Sequence, residues 1–476
     1  MSTNRREFLK RTGLASLSVA GAGLVSGCAT STNASSNLDH IKAASQKPHR
    51  QQFNMSGYVA PKLDTVRIGF IGLGMRGPGA VTRMNHIENV VIKALCDLRP
   101  EQVSAVQQKL AGTSHNPATY SGTEEAWKAL CDRDDIDLVY IATPWHLHTP
   151  MAVYAMEQGK HVAVEVPAAT TLEECWQLVE TSERTRKHCM MLENCCYDFF
   201  ELLTLNMARQ GFFGEIVHGE GAYIHNLVDL NFSKDGYQDM WRLKENTRNG
   251  SLYPTHGLGP ICQIMNINRG DQMDYLVSVS SNDFTMGETA RKLAAKDSFY
   301  TPFVAHAYRG NMNTTTIRTK KGRTIMVQHD VSSQRPYSRI HLVSGTQGTA
   351  RKWPLPARIA TSHEGWVSQE ELKALEERYT PEIITKLGDM AKQIGGHGGM
   401  DFLMDWRLVD ILRNGLPLDQ DVYDAALWSA VAPLSEWSVA SRSNSIDVPD
   451  FTSGAWQSNT PVDVSLRGGG TTTVKA

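Results

Sequence analysis

The sequence predicts an α/β protein in two folded parts, an N-terminal doubly wound parallel sheet and then an α+β domain with an open, mainly antiparallel sheet. Three observations carry this reading. From residue 65 to about 190, short apolar runs alternate with helical stretches, the grammar of repeated βα units. A glycine-rich turn separates the first of those runs from the first helix. After a helix near 198–210 the runs become strand-like, with turns such as Lys321-Gly322 and Gly345-Thr346-Gln347-Gly348 between them, as in antiparallel sheets.

Taken in order, the run 66–71 (Val-Arg-Ile-Gly-Phe-Ile) is nearly continuous in apolar side chains, as a strand covered on both faces must be. The runs 90–96, 138–142, 161–165 and 189–192 repeat the pattern, with helices near 101–110, 124–131, 150–158 and 172–187. In such a sheet ligands bind at the carboxyl ends of the strands. Those ends carry Trp145, His146, Leu147 and His148, then Glu165, Val166 and Pro167, then Glu193 and Asn194. Strands are expected next at 215–223, 275–281, 314–319, 324–328 and 339–344, and helices at 368–377 and 400–438. The domains are therefore drawn at 65–192 and 193–445, leaving 446–476 as a tail whose Gly468–Thr473 stretch reads as loose.

The turn after the first strand, Gly72-Leu73-Gly74-Met75-Arg76-Gly77, fits G-x-G-x-x-G, and the second strand ends at Asp97, twenty residues past Gly77. The first glycine permits a tight turn, the second lets the backbone approach a pyrophosphate, and the third lets the helix pack on the strand. The helix N-terminus faces the phosphate charge. An acid at the end of the second strand accepts hydrogen bonds from a ribose 2′-hydroxyl and repels a 2′-phosphate. Strand, spacing and acid together indicate a Rossmann domain binding NAD, which Asp97 favours over NADP although Arg99 lies two residues on.

The balance of 48 basic against 50 acidic residues, a net charge of -2, gives no footprint for nucleic acid. The first residues are an address. Asn4-Arg5-Arg6-Glu7-Phe8-Leu9-Lys10 is similar to the twin-arginine export motif, and the apolar stretch Gly13–Val25 is too short and too rich in small residues to span a membrane well. Leu24-Val25-Ser26-Gly27-Cys28 resembles a bacterial lipoprotein box, so residues 1–28 are a signal and Cys28 is the expected site of a lipid, the alternative being ordinary cleavage. Residues 29–64 then read as a flexible tether in the periplasm. Export through a route that carries folded proteins lets a cofactor travel with the chain. The seven further cysteines are irregularly spaced and several lie in apolar segments, so buried thiols are expected rather than disulfides.

The glycine fingerprint, Ala142-Thr143-Pro144 with its following histidines, Glu165-x-Pro167, Gly214-Glu215-Ile216 and a glycine-rich approach to His256 occur in one order over residues 65–440. That order resembles the glucose–fructose oxidoreductase and inositol dehydrogenase superfamily, which implies a two-domain NAD(P) enzyme acting on sugars. Two departures matter. Dehydrogenases of this kind carry a lysine where this chain has Val166, and an aspartate where it has Leu252. The stretch Asn249-Gly250-Ser251-Leu252-Tyr253-Pro254-Thr255-His256-Gly257 instead resembles the NAD-dependent α-N-acetylgalactosaminidases, and Gly221-Ala222-Tyr223, Trp241-Arg242 and Arg335-Pro336-Tyr337 agree with that branch.

The resemblance implies a glycosidase that oxidises C3 of the sugar transiently, so that the C2 proton becomes acidic, the C1 substituent is eliminated, water adds and the hydride returns. It implies that Gly72, Gly74, Met75, Arg76, Gly77, Asp97, Trp145, His146, Leu147, His148, Glu165, Val166 and Asn194 hold the cofactor, and that Tyr223, Arg242, Tyr253, Pro254, Thr255, His256 and Tyr337 hold the sugar. His256 is the candidate acceptor of the C3-hydroxyl proton, since an imidazole titrates near working pH. Tyr223 is the candidate C2 base, provided a cation such as Arg242 depresses its phenol. Glu193 is the candidate acid for the departing oxygen, provided burial raises its pKa. His146-x-His148 lacks a third ligand at usable spacing, and no metal is expected. The expected partner is a glycan ending in N-acetylgalactosamine; superfamily members often dimerise through the second sheet, which leaves a homodimer open. Two other readings stand beside this one, a periplasmic NAD(P)-dependent sugar oxidoreductase and a non-catalytic sugar-binding lipoprotein.

Overall fold

Six strands build the first sheet of the computed structural model, which describes residues 38–463 and 465–475. They are β1 (Val66–Ile71), β2 (Val90–Cys96), β3 (Ala118–Tyr120), β4 (Leu138–Ile141), β5 (His161–Val164) and β6 (Cys189–Met191). All pair in parallel, in the order β3-β2-β1-β4-β5-β6. Their side chains are buried almost throughout, which is why the runs lack polar alternation. Chain direction across the sheet reverses between β1 and β4, so a crevice opens at their carboxyl ends, where dinucleotides bind in Rossmann domains. The three-residue β3 is too short to show as a sequence pattern.

The second sheet comprises β7 (Ile216–Ile224), β8 (Met273–Ser280), β9 (Asn313–Thr319), β10 (Thr324–Asp330), β11 (Leu342–Gly345), β12 (Thr349–Arg351), β13 (Arg358–Ala360) and β14 (Ile446–Asp447). Its order is β13-β12-β11-β7-β10-β9-β8-β14, antiparallel except where β10 runs parallel to β7. The helix Thr255–Ile264 packs on β7 by a glycine-to-glycine contact. A Cβ on Gly221 would lie 2.1 Å from the Gly257 carbonyl oxygen, and one on Gly257 would lie 2.2 Å from Ala222 N. No other residue pair permits this approach, and it sets Tyr223 beside His256.

The sequence expectation fails in five places. Residues 339–341 are not strand, because Ile340 and His341 take positive φ values of 60° and 49° and turn the chain into β11. The expected helix 400–438 is two helices, Met400–Asn414 and Val422–Ala440, parted at Gly415 and restarted by the Asp421 cap; a further helix, Glu382–Ile394, precedes them.

The described part of the expected tether is not a tether. Residues 39–45 are helical, Ile41, Met55 and Ala60 are buried, and Gln51 donates to the Tyr423 hydroxyl at 2.7 Å. Backbone N–H of Gln52 donates to the buried Glu183 at 2.8 Å. Three isolated apolar anchors give no periodicity, so the segment reads as polar coil. The expected loose tail is docked as well. Ile446 pairs with Leu276 at the sheet edge and Phe451 is fully buried. The Asp410 carboxylate accepts from the N–H groups of Gly470 at 2.7 Å and Thr472 at 3.2 Å. The twin-arginine stretch and Cys28 lie outside the described residues.

Candidate active site

The glycine turn is shaped for close approach. Gly72 has φ +90°, and a Cβ on it would lie 2.5 Å from the Ala142 carbonyl; on Gly77 it would lie 2.0 Å from the Gly72 carbonyl. At Gly74 the nearest atom to a Cβ is Arg99 Nη2 at 3.8 Å, so this glycine borders open space, the cradle a pyrophosphate fills. Asp97 closes the turn by accepting from Leu73 N at 2.7 Å and Arg99 N at 3.0 Å. Each oxygen keeps a lone pair for a ribose hydroxyl. The residues present therefore fit the cofactor that the sequence implies.

Arg76 leaves the same turn and spans two acids, with Nε 2.9 Å from Glu165 and Nη1 3.2 Å from Asp401. Asn194 donates to the other Asp401 oxygen at 2.5 Å. Met75 is exposed, Trp145 and Val166 are buried, and His146 is exposed in the single turn Trp145–Leu147. His148 does not offer its ring to a cofactor. The ring is buried between the carbonyl oxygens of Pro167 and Thr143, each 2.7 Å from a ring nitrogen, so it fastens β4's end to β5's. Burial lowers its pKa.

On the sugar side, rings gather around His256. Tyr223 lies 5.3 Å from it and Tyr253 4.8 Å, centroid to centroid, and Trp145 stacks on Tyr253 at 5.5 Å and 17°. Arg242 sits 5.0 Å from the rings of Trp145 and Tyr253 and donates to the Tyr237 hydroxyl at 2.9 Å, a cation held by ring faces. Pro254 caps the helix that Thr255 and His256 begin. Tyr337, 38% exposed, stands at the rim.

Glu193 is corrected by this geometry. It is fully buried and lies behind His256, its oxygens 2.7 and 3.0 Å from Nδ1. Burial pushes the carboxyl up, but the His256 charge and hydrogen bond, with the Cys195 N–H, outweigh it and leave it below the ordinary value. It is thus an ionised positioning group, not an acid reaching a departing oxygen. Accepting at Nδ1, it assigns the ring proton there and leaves Nε2 free as a base.

The expected depression of Tyr223 is corrected too. Burial raises its phenol to about 12, and Arg242 only partly opposes this. Its hydroxyl instead lies 3.0 Å from His225 Nδ1, a residue the sequence reading passed over. Burial first, then the charges of Arg242, His256 and His397, lower the pKa of His225, so a neutral imidazole faces the phenol.

A second residue was also missed. Gly395, Gly396, His397, Gly398 and Gly399 all have positive φ, a loop that leaves His397 exposed. Its Nδ1 lies 2.9 Å from Asp401, whose carboxyl burial raises but His397, Arg76 and Arg83 hold well below the ordinary range. Four glycines around one histidine were the sequence signal. Leu252, at the departure noted in the sequence, is buried, and its N–H donates to His329 Nδ1 at 3.1 Å.

Among the described residues one trio, Glu193, Cys195 and His256, brings possible ligand atoms within 4.8 Å of one another. His256 Nδ1 is already occupied by Glu193, and Arg339 places a fixed positive charge 3.1 Å from Cys195 Sγ, an environment hostile to a cation. The seven described cysteines are buried free thiols.

A six-stranded Rossmann sheet followed by a second, mainly antiparallel sheet, with acid–base side chains gathered around His256, defines an NAD-binding protein of the oxidoreductase fold. Residues 66–193 match the model for the oxidoreductase family's NAD-binding Rossmann fold, and residues 197–458 match that for the C-terminal domain of glycosyl hydrolase 109. The chain belongs to glycosyl hydrolase family 109 and is a glycoside hydrolase. It is 51% identical over 422 residues to the glycosyl hydrolase family 109 protein 1 of Bacteroides fragilis, covering 85% of this chain and 89% of that one. The α-N-acetylgalactosaminidase of the same species is 52% identical over 415 residues, with 85% and 96% covered. A family 109 protein of Shewanella pealeana is 46% identical over 470 residues, covering 98% and 99%. In fold the chain is similar to levoglucosan dehydrogenase in complex with NADH, at a TM-score of 0.59 and 16% identity, covering 81% of this chain and 100% of that one. It is also similar to scyllo-inositol dehydrogenase from Lactobacillus casei with NAD(H) and scyllo-inositol, at 0.56 and 14%, covering 80% and 99%.

Proposed function

We propose that this glycoside hydrolase removes terminal α-linked N-acetylgalactosamine by oxidation, elimination, hydration and reduction, holding its NAD throughout. The relative bearing that enzyme name supports the substrate, and one structural observation supports the route. Oxidation alone moves one hydroxyl proton, whereas this route also moves a proton at C2 and one at the departing oxygen. Three backed groups are available for those protons: His256 on Glu193, Tyr223 on His225, and His397 on Asp401.

Bound NAD, held by the glycine turn, Asp97, Glu165 and Asn194, supplies a reversible hydride acceptor for C3. His256 Nε2 takes the C3-hydroxyl proton, because Glu193 keeps the other nitrogen protonated and steadies the imidazolium that results. Tyr223 takes the C2 proton, acidified by the neighbouring ketone, and His225 Nδ1 receives the phenol's own proton so that a group raised to about 12 can act as a base. His397 protonates the departing oxygen and then activates the water that replaces it. Val166 offers no titratable group where a simple dehydrogenase has its lysine, which favours the glycosidase over a sugar oxidoreductase. Residues 1–28 are proposed to export the folded holoenzyme by the twin-arginine route, with a lipid on Cys28.

The test is incubation with a p-nitrophenyl α-N-acetylgalactosaminide without added NAD. Nitrophenol release is expected; an oxidised sugar without release would favour the oxidoreductase, and binding without either would favour the sugar-binding lipoprotein.

A further inference from the structure

We infer that Trp353 is the platform for the sugar next to the scissile bond, on its leaving-group side. The inference rests on the glycosidase reading and adds a specificity-determining residue to it. A file of rings runs outward from the chemistry. His256 and Tyr223 are 5.3 Å apart, Tyr223 and His225 5.6 Å, His225 and Tyr337 5.1 Å, and Tyr337 and Trp353 5.3 Å. The inner members handle protons and Tyr337 stands at the rim, so Trp353 is the next ring a chain of sugars meets on leaving the pocket.

Two features separate it from an incidental surface tryptophan. The indole is half-buried, its ring set edge-to-face with Tyr337 and with Lys352 Nζ 5.8 Å from its centroid. Its backbone is also fixed. Trp353 N donates to the Ile340 carbonyl at 3.0 Å and Lys352 N to the His341 carbonyl at 3.1 Å, while Lys352 Nζ lies 2.6 Å from Asp198 and 2.9 Å from Glu201. A preorganised ring loses little entropy when a pyranose lays its C–H face on it.

The test compares a methyl α-N-acetylgalactosaminide, which has no second sugar, with an α-N-acetylgalactosaminyl disaccharide. The wild-type protein should favour the disaccharide in kcat/KM by about tenfold. W353A should raise KM for the disaccharide about tenfold with kcat held within twofold, and should leave the methyl glycoside within twofold, which also controls for folding. W353F should recover part of the loss. Equal loss on both substrates, no loss on either, or a wild type that does not discriminate would each overturn the subsite while leaving the glycosidase reading intact. Failure of the wild type to cleave either substrate would instead overturn the glycosidase reading and the subsite with it.

Discussion

Replacing Glu193 by glutamine separates a positioning carboxylate from a catalytic acid. The carboxylate is fully buried, accepts from the Cys195 N–H at 3.1 Å, and lies 2.7 and 3.0 Å from His256 Nδ1. In E193Q the amide oxygen takes the place of Oε1, which faces both the Cys195 N–H and His256 Nδ1, so the ring keeps its proton on Nδ1 but loses the carboxylate's charge. The imidazolium formed when Nε2 accepts the sugar's proton is then no longer steadied by a buried negative charge, and His256 becomes a weaker base. Weakening a general base in this way costs about a hundredfold, or roughly 3 kcal/mol of barrier. The assay is initial-rate hydrolysis of a p-nitrophenyl α-N-acetylgalactosaminide, repeated with a dinitrophenyl leaving group that departs without protonation. The loss should fall on kcat, leave KM within a few-fold, and be the same for both substrates. Recovery of the rate with the better leaving group would mean that Glu193 is the acid after all, and a loss below tenfold would mean that His256 does not depend on it.

H397A should show the opposite pattern in kcat/KM, which ends at departure of the leaving group and so excludes the later water addition: at least about a hundredfold loss on a disaccharide and little on the dinitrophenyl substrate, as read by parallel rate measurements. Y223F should abolish exchange of the C2 hydrogen with deuterated solvent, followed by NMR, and reduce hydrolysis at least about a hundredfold. G221A forces a Cβ into the Gly257 carbonyl and should lower stability by about 1–3 kcal/mol, seen as a reduced melting temperature. The folded-state pKa of Asp401 is depressed, so the stability its ion pairs supply is complete above about pH 4 and is lost as the pH falls through the lowered value. D401N should therefore melt lower than wild type at pH 7, with the gap closing under acid.

The parallel sheet was legible because strands buried on both faces leave unbroken apolar runs, and β1, β2, β4, β5 and β6 fall where those runs lie. The docked ends were not legible, because Ile41, Met55 and Phe451 each anchor a polar segment singly and a single anchor has no period. The site divides in the same way. His256 and Tyr223 stood in recognisable motifs, and the contact that joins them, Gly221 on Gly257, was written in glycines whose partner only the fold reveals. The role of Glu193 was misread because a buried carboxyl titrates upward alone and downward beside an imidazolium, and no sequence spacing announced that His256 would face it across 63 positions. His225 acquires its meaning only through the phenol beside it.

The central claim is that the cofactor is held and returned to its starting state in every turnover. Protein purified without added nicotinamide should release about one equivalent of NAD on denaturation, and before denaturation should hydrolyse an aryl α-N-acetylgalactosaminide labelled with deuterium at C3, returning the label to C3 of the free sugar. Full activity from protein that releases no nicotinamide, or loss of the C3 label to solvent, would contradict the account.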